Sequence, residues 1–311
     1  MSDFVQQQNS ICDFSTSDSW VILSPIEQSI KKKIESVGIP LKDWDINIYR
    51  GVLTGCNEAF IIDTPKRDEI LNNCQTEDER QRTAELIRPI LRGRDIKRYG
   101  YDWANLWLIY IPWHFPYQFD ESIQGASEKA EMAFMEQYPA VYSHMLQYKE
   151  PLSKRNKAET GIRYEWYAMQ RWGAKYWEDF NKPKIIYPNM TKYMPFVFDD
   201  KMYLTNQKCF IITGKYVAYL TAFFNSSLFK YCFRDSFPEL QGGTRELSKI
   251  FFDKIPVFKI SDVQNLQFQD AVEDIQKEYN KQKAQRIDSM LFDLYALTAE
   301  ERNVIGFVEI V

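Results

Sequence analysis

Five cations fall within eleven residues of the segment RPILRGRDIKRY: Arg88, Arg92, Arg94, Lys97 and Arg98, opposed there by one carboxylate, Asp95. Pro89 and Gly93 interrupt any helix that would spread these charges around its circumference, so the segment reads as a cationic loop. Concentrated positive charge on a loop suits a phosphate backbone; the bland alternative is a solvated charge cluster on ordinary surface. Upstream lies RGVLTGCN. Its Gly51 and Gly55 would let main-chain amides approach an anion closely, and Arg50, Thr54 and Asn57 would add side-chain donors. The same residues also suit a plain turn between two strands.

Two further stretches carry binding chemistry. Between Lys154 and Trp177, basic residues that include Lys154, Arg155, Arg163 and Arg171 interleave with aromatics that include Tyr164, Trp166 and Trp172. Arginine reads guanine edges or holds phosphates and aromatic rings stack on bases, so the mixture fits nucleic-acid recognition. The competing reading is an amphipathic element with its aromatics inward and its cations outward, since tryptophan is usually largely buried. Near the end of the same region, Gln241-Gly242-Gly243-Thr244-Arg245 reads as a mobile turn that exposes Thr244 and Arg245.

Composition sets the limits on these readings. With 311 residues, 45% of them hydrophobic, the chain can bury a substantial core as one large domain or two smaller ones. A net charge of −4 argues against binding nucleic acid through overall charge. Local balance differs: residues 149–192 hold ten Lys and Arg against five Asp and Glu, while residues 261–311 hold five against ten. Five widely spaced cysteines without a C-x-x-C pair, and only two histidines, give a zinc site no support and suggest reduced thiols. No run reaches the length of apolar residues that a membrane span needs, and the start has no apolar leader, so a soluble cytoplasmic protein without a membrane partner is expected.

The elements that must position these residues are predicted as a mixed α/β (α+β) architecture. A polar, flexible leader covers residues 1–18. An amphipathic helix runs from Pro25 to Val37, with Ser24 as its cap and Ile26, Ile30, Ile34 and Val37 at helical spacing. Strands are expected at Trp44–Tyr49 and Ala59–Ile62, joined by the RGVLTGCN loop. A helix follows over Thr76–Ile90, then a buried strand at LWLIYI (Leu106–Ile111), a helix over Glu128–Gln147 broken near Pro139, strands at Lys184–Tyr187, Phe196–Phe198 and Cys209–Thr213, and a helix over Tyr216–Phe233 that contains Asn225, Ser226 and Ser227. From about residue 259 the chain becomes a helical tail of one or two amphipathic helices. The expected partition is therefore a leader at 1–18, a recognition domain at 19–258 and a tail at 259–311.

Several of these segments, in this order, resemble the C-terminal target-recognition region of TaqI-like adenine-N6 DNA methyltransferases, especially the fused type IIG restriction and modification enzymes. They are LKDWDINIYRGVLTGCNEAFIID, IRPILRGRDIKRY, LWLIYIP, FNKPKIIYPNM and AYLTAFFNSSLFKY, followed by GG-x-R and KIP. The resemblance implies a module that docks on double-stranded DNA and reads a short sequence, while a separate catalytic domain, in cis or in trans, binds S-adenosylmethionine and methylates a flipped adenine. No N-P-P-Y or D-P-P-Y tetrapeptide is present, so no catalytic residue and no cofactor or metal ligand is assigned to this chain. Asp95-Ile96-Lys97 matches the D-x-K half of a nuclease signature, with no well-placed upstream acid.

In this reading Arg50, Thr54, Asn57, Arg92, Arg94, Lys97 and Arg98 position the DNA backbone. Base reading falls to Lys154, Arg155, Arg163, Tyr164, Trp166, Arg171 and Trp172, with Lys192, Gln241, Thr244 and Arg245, because different targets need different side chains there. The alternatives are a complete methyltransferase or nuclease, and a module that binds another protein.

Overall fold

A computed structural model describes residues 24–309. The expected leader at 1–18 lies outside the described residues. The chain divides into two compact units, one formed by residues 47–217 and the other by the two flanks, which end at residue 46 and resume at 218. The boundary expected at 258 therefore does not separate a tail: the C-terminal helices fold into the same unit as the N-terminal helix.

In the unit formed by the flanks, the helix Pro25–Val37 begins as its sequence requires. The Ser24 hydroxyl accepts a bond from the Glu27 amide, and the Glu27 carboxylate accepts one from the Ser24 amide at 2.7 Å, while Ile30 and Ile34 turn into the core. The single helix expected over Tyr216–Phe233 is two, Val217–Asn225 and Ser227–Phe233. Ser226 adopts an extended backbone and its Oγ accepts from the Phe229 amide at 3.0 Å, so the polar triplet inside the apolar run is a cap rather than a helical interior. Asp288 then accepts from the Ser227 amide and hydroxyl at 2.8 and 2.6 Å. The tail forms three helices rather than one or two: Asp262–Lys277, Lys281–Leu294 and Ala299–Ile305. The last is tied to the helix Pro25–Val37 through Glu301, whose carboxylate takes Lys33 Nζ and Ser29 Oγ, each at 2.7 Å.

The unit at 47–217 is built on two four-stranded sheets of mixed connectivity. In the first, Lys184–Pro188 lies between Val197–Asp199 and Cys209–Gly214, antiparallel to both, and Ile46–Arg50 forms the far edge. Ile185, Ile186 and Tyr187 are fully buried, as a continuous apolar run in a covered strand should be. Lys184 stands opposite Asp199 in the register, and the two form an ion pair of 2.6 Å with both side chains fully buried. Burial pushes the Lys184 ammonium below its ordinary pKa, against the pull of Asp199. Asp199 also accepts the amides of Lys201 and Tyr203, each at 3.0 Å, which pins the turn that leads into the second sheet.

In the second sheet Leu204–Thr205 runs parallel to Ile87–Leu91, which is followed by Leu106–Ile109 and Ile61–Asp63, both antiparallel to their neighbours. Two expectations are corrected here. The helix expected over Thr76–Ile90 stops at Leu86, and Ile87–Leu91 is a strand. Pro89 cannot continue a helix, and Ile87, Ile90 and Leu91 gain full burial in the sheet. The strands flanking RGVLTGCN do not pair with each other: Asn57–Phe60 is a helical turn, and the strand after it joins the second sheet while Ile46–Arg50 joins the first. The RGVLTGCN segment thus spans two sheets, and so does the turn at 206–208 that packs against it.

A candidate nucleic-acid interface

Four segments meet where the two sheets adjoin: residues 50–53, 92–97, 188–194 and 206–208. Gly51 sits against the turn at 206–208 so closely that a side chain would place its first carbon 2.1 Å from the Asn206 carbonyl oxygen. The amides of Gly51, Val52 and Leu53 donate to the carbonyls of Cys209, Thr205 and Arg171 at 2.8–2.9 Å. These amides are therefore structural, and the expected anion cradle made from them is not formed. Thr54 is buried and donates to Asn57 Oδ1 at 2.7 Å, leaving Asn57 exposed. Gly55 takes a positive φ of 76° with Arg155 and Gln170 packed against it.

The cationic segment separates into buried and exposed members. Arg88 is half-buried and donates to the Met202 carbonyl at 2.9 Å. Arg92 grips Asp95 with two bonds, Nε to Oδ2 at 3.0 Å and Nη2 to Oδ1 at 2.8 Å, and its amide adds a third. That pairing raises the Arg92 pKa and ties up the carboxylate of the D-x-K fragment. Arg98 is buried beside Tyr99 at the tip of the hairpin formed by Ile96–Lys97 and Gly100–Tyr101. Arg94 and Lys97 remain in solvent. Arg94 has no side-chain partner among the described residues, and Lys97 stands 3.6 Å from the exposed Asp102.

The neighbouring segments extend this pair into a ridge. Gly93 packs on Pro188 and on the Lys208 backbone, and the Asn189 amide donates to the Lys208 carbonyl at 2.9 Å. Arg50 donates through Nε to the Gln207 carbonyl at 2.8 Å. Arg50, Arg94, Lys97, Lys192 and Lys208 are all exposed. The acid embedded among them, Asp95, is neutralised by Arg92. Lys208 is missing from the sequence-derived set because a single lysine in a polar turn carries no signal until the sheets place it beside Gly93.

The stretch from Lys154 to Trp177 follows its competing reading, with aromatics inward and cations outward. Tyr164 is fully buried and stacked on Trp113 with ring centres 4.8 Å apart, and Trp166 is buried and donates to Glu131 at 2.7 Å. Trp172 is likewise buried, its carbonyl accepting from the Tyr110 hydroxyl at 2.6 Å. Arg155 is buried too; its guanidinium donates to the carbonyls of Thr54, Trp166 and Ala168, and burial lowers its pKa. These four residues brace loops and present nothing to a ligand. Lys154, paired with Glu150, Arg163 and Arg171 are exposed. Arg171 bridges Leu53 through both its backbone groups at 2.9 Å, which places it beside the 50–53 segment.

In the other unit Gln241 is exposed and Thr244 half-buried, but Arg245 is buried and clamps its own loop. It pairs with Asp235 and Glu239, each at 2.8 Å, and donates to the Phe237 carbonyl at 2.9 Å. The expectation of an exposed Arg245 is corrected accordingly. Among the described residues no three His, Cys, Asp or Glu side chains converge as metal ligands would, and no helix is long and apolar enough to cross a membrane.

The mixed α/β fold is that of a specificity domain. A model of the TaqI-like C-terminal specificity domain matches residues 88–257, more than half of the sequence, and the chain belongs to that family. Among solved structures, the type IIL restriction-modification enzyme MmeI, determined in complex with DNA, has a similar fold, with a TM-score of 0.52 at 10% identity over 84% of this chain and 34% of that one. The type IIG restriction endonuclease BpuSI gives a TM-score of 0.49 at 14% identity over 88% of this chain and 33% of that one. The chain thus spans about a third of the length of these enzymes. No curated protein matches it.

Proposed function

We propose that this chain is the duplex-DNA specificity module of a restriction-modification adenine-N6 methyltransferase, with methylation carried out by a catalytic domain in cis or in trans that binds S-adenosylmethionine. The observation that carries the reading is the ridge of five exposed cations, Arg50, Arg94, Lys97, Lys192 and Lys208, contributed by four segments of one unit in a chain of net charge −4. Nearby Arg92 is locked onto Asp95, and Arg98 and Arg155 are buried, so the exposed subset is selected by the fold rather than by composition. Family membership supplies the DNA context, and the charges supply the contact to its backbone.

Phosphate binding falls to the ridge, and base reading to other exposed residues, Arg171 and Arg163 in the same unit and Gln241 in the other. Binding selection from a random duplex library, with S-adenosylmethionine binding measured alongside, tests the assignment. Enrichment of a short sequence without cofactor binding is the expected result. Failure to retain any duplex at low salt would favour a protein-binding module, and cofactor binding by this chain alone would make it a methyltransferase in its own right.

A further inference from the structure

Accepting the DNA reading above, we infer that Tyr193 is a base-stacking residue that inserts its ring beside a destacked base where the ridge meets the duplex. The segment from Pro188 to Pro195 contains the short strand Met190–Thr191 and the turn that follows it. Thr191 Oγ1 accepts the amides of Tyr193 and Met194 at 3.1 and 3.3 Å. Met194, at a positive φ of 51°, is buried to 1% exposure and anchors the turn. Tyr193 is left 50% exposed, and Met190, three residues before it, 44% exposed.

The location gives these side chains an occupant. The base of the turn is bonded to Lys208 through Asn189, Pro188 touches Gly93, and the Tyr99 amide donates to the Phe196 carbonyl at 3.1 Å, which joins the turn to the cationic hairpin. Lys192, the adjacent residue, holds its ammonium 5.9 Å from the Tyr193 ring centre. An exposed aromatic on a rigid turn among cations offers a π-face at the position where the phosphates are held, and every base has a complementary face. Apolar side chains placed in this way wedge between base steps and unstack them. The buried aromatics of the 154–177 stretch, which the sequence pattern nominates for stacking, lack this access.

The test uses a labelled random-sequence duplex and the same duplex carrying one mismatched pair, titrated by anisotropy over a salt series with wild type, Tyr193→Ala and Tyr193→Trp. A mismatch lowers the cost of unstacking, so wild type binds the mismatched duplex more tightly. Tyr193→Ala loses that preference and roughly five- to a hundredfold in affinity, with the salt dependence unchanged because no charge is removed; Tyr193→Trp restores both. Binding by Tyr193→Ala equal to wild type on both duplexes would overturn the stacking role alone. Absence of binding to either duplex by wild type would overturn the DNA reading and the stacking role together. A substitution at a half-exposed turn position leaves the core intact, and equal melting temperatures confirm it.

Discussion

Replacing Arg94 with Ala separates a phosphate contact from a structural arginine two residues away. If the five exposed ridge cations each displace a counterion, log K falls against log salt with a slope of about −4.5, and Arg94→Ala reduces this to about −3.6. A fourfold rise in salt then weakens wild type by about 500-fold and the variant by about 150-fold. Arg92→Ala behaves differently. Asp95 is 5% exposed and loses its bidentate partner, so the cost is stability, roughly 2–3 kcal/mol after allowance for the 20% exposure of Arg92. The salt slope should stay near the wild-type value. Anisotropy titrations of a labelled duplex at several salt concentrations, paired with thermal melts, read both quantities. An Arg94→Ala slope equal to wild type, or an Arg92→Ala variant that melts normally and loses slope as Arg94→Ala does, would refute the division of this segment into inner and outer arginines.

Three further outcomes follow from buried contacts. Asp199→Asn leaves the Lys184 ammonium fully buried without its counter-charge, and chemical denaturation should show a loss of about 3–5 kcal/mol. Gly51→Ala drives a carbon against the Asn206 and Thr205 carbonyl oxygens, at 2.1 and 2.5 Å before relaxation, and should cost about 3 kcal/mol in the same assay; a neutral result would mean that the two segments separate freely. Burial pushes the Glu301 carboxyl upward, but the Lys33 ammonium, the Thr298 amide and the Ser29 hydroxyl outweigh it and hold the pKa at about 2, against 4.5 ordinarily. A depressed carboxylate stabilises the fold above its unfolded pKa and loses that contribution as pH falls toward the folded value, so Glu301→Gln should be less stable than wild type by roughly 3 kcal/mol at neutral pH. The gap should close between about pH 4.5 and pH 2, and a gap independent of pH would exclude this carboxylate as its source.

Local features were legible in the sequence where a short segment is decided by its own backbone chemistry. Ser24, Pro25 and Glu27 define a helix start whatever the rest of the chain does, and Pro139 breaks the helix it enters because it lacks an amide. The strand runs KIIY and CFIIT declare themselves by continuous β-branched and apolar residues. The order of several such segments was enough to indicate the TaqI-like family. Apolar spacing alone misleads where it suits two elements: Ile87–Leu91 continues a helix in pattern, but Pro89 cannot continue one and the segment becomes a strand paired on both sides. Likewise, Ser226 reads as a polar residue on a helix face until Asp288 fixes the helix beginning at Ser227.

The sequence by itself determined which residue types are present to meet a polyanion and in which segments they lie. Only the tertiary structure decided which of them can do so. Arginine is equally able to hold a phosphate, a buried aspartate or three main-chain carbonyls, and one-dimensional spacing does not distinguish among these. Arg92, Arg155 and Arg245 found partners inside the fold, while Arg50, Arg94, Lys192 and Lys208 were brought together outside it by segments far apart in the chain. The physical reason is desolvation: a charge enters the interior only where a partner is already in place, and the positions of those partners are a property of the folded chain.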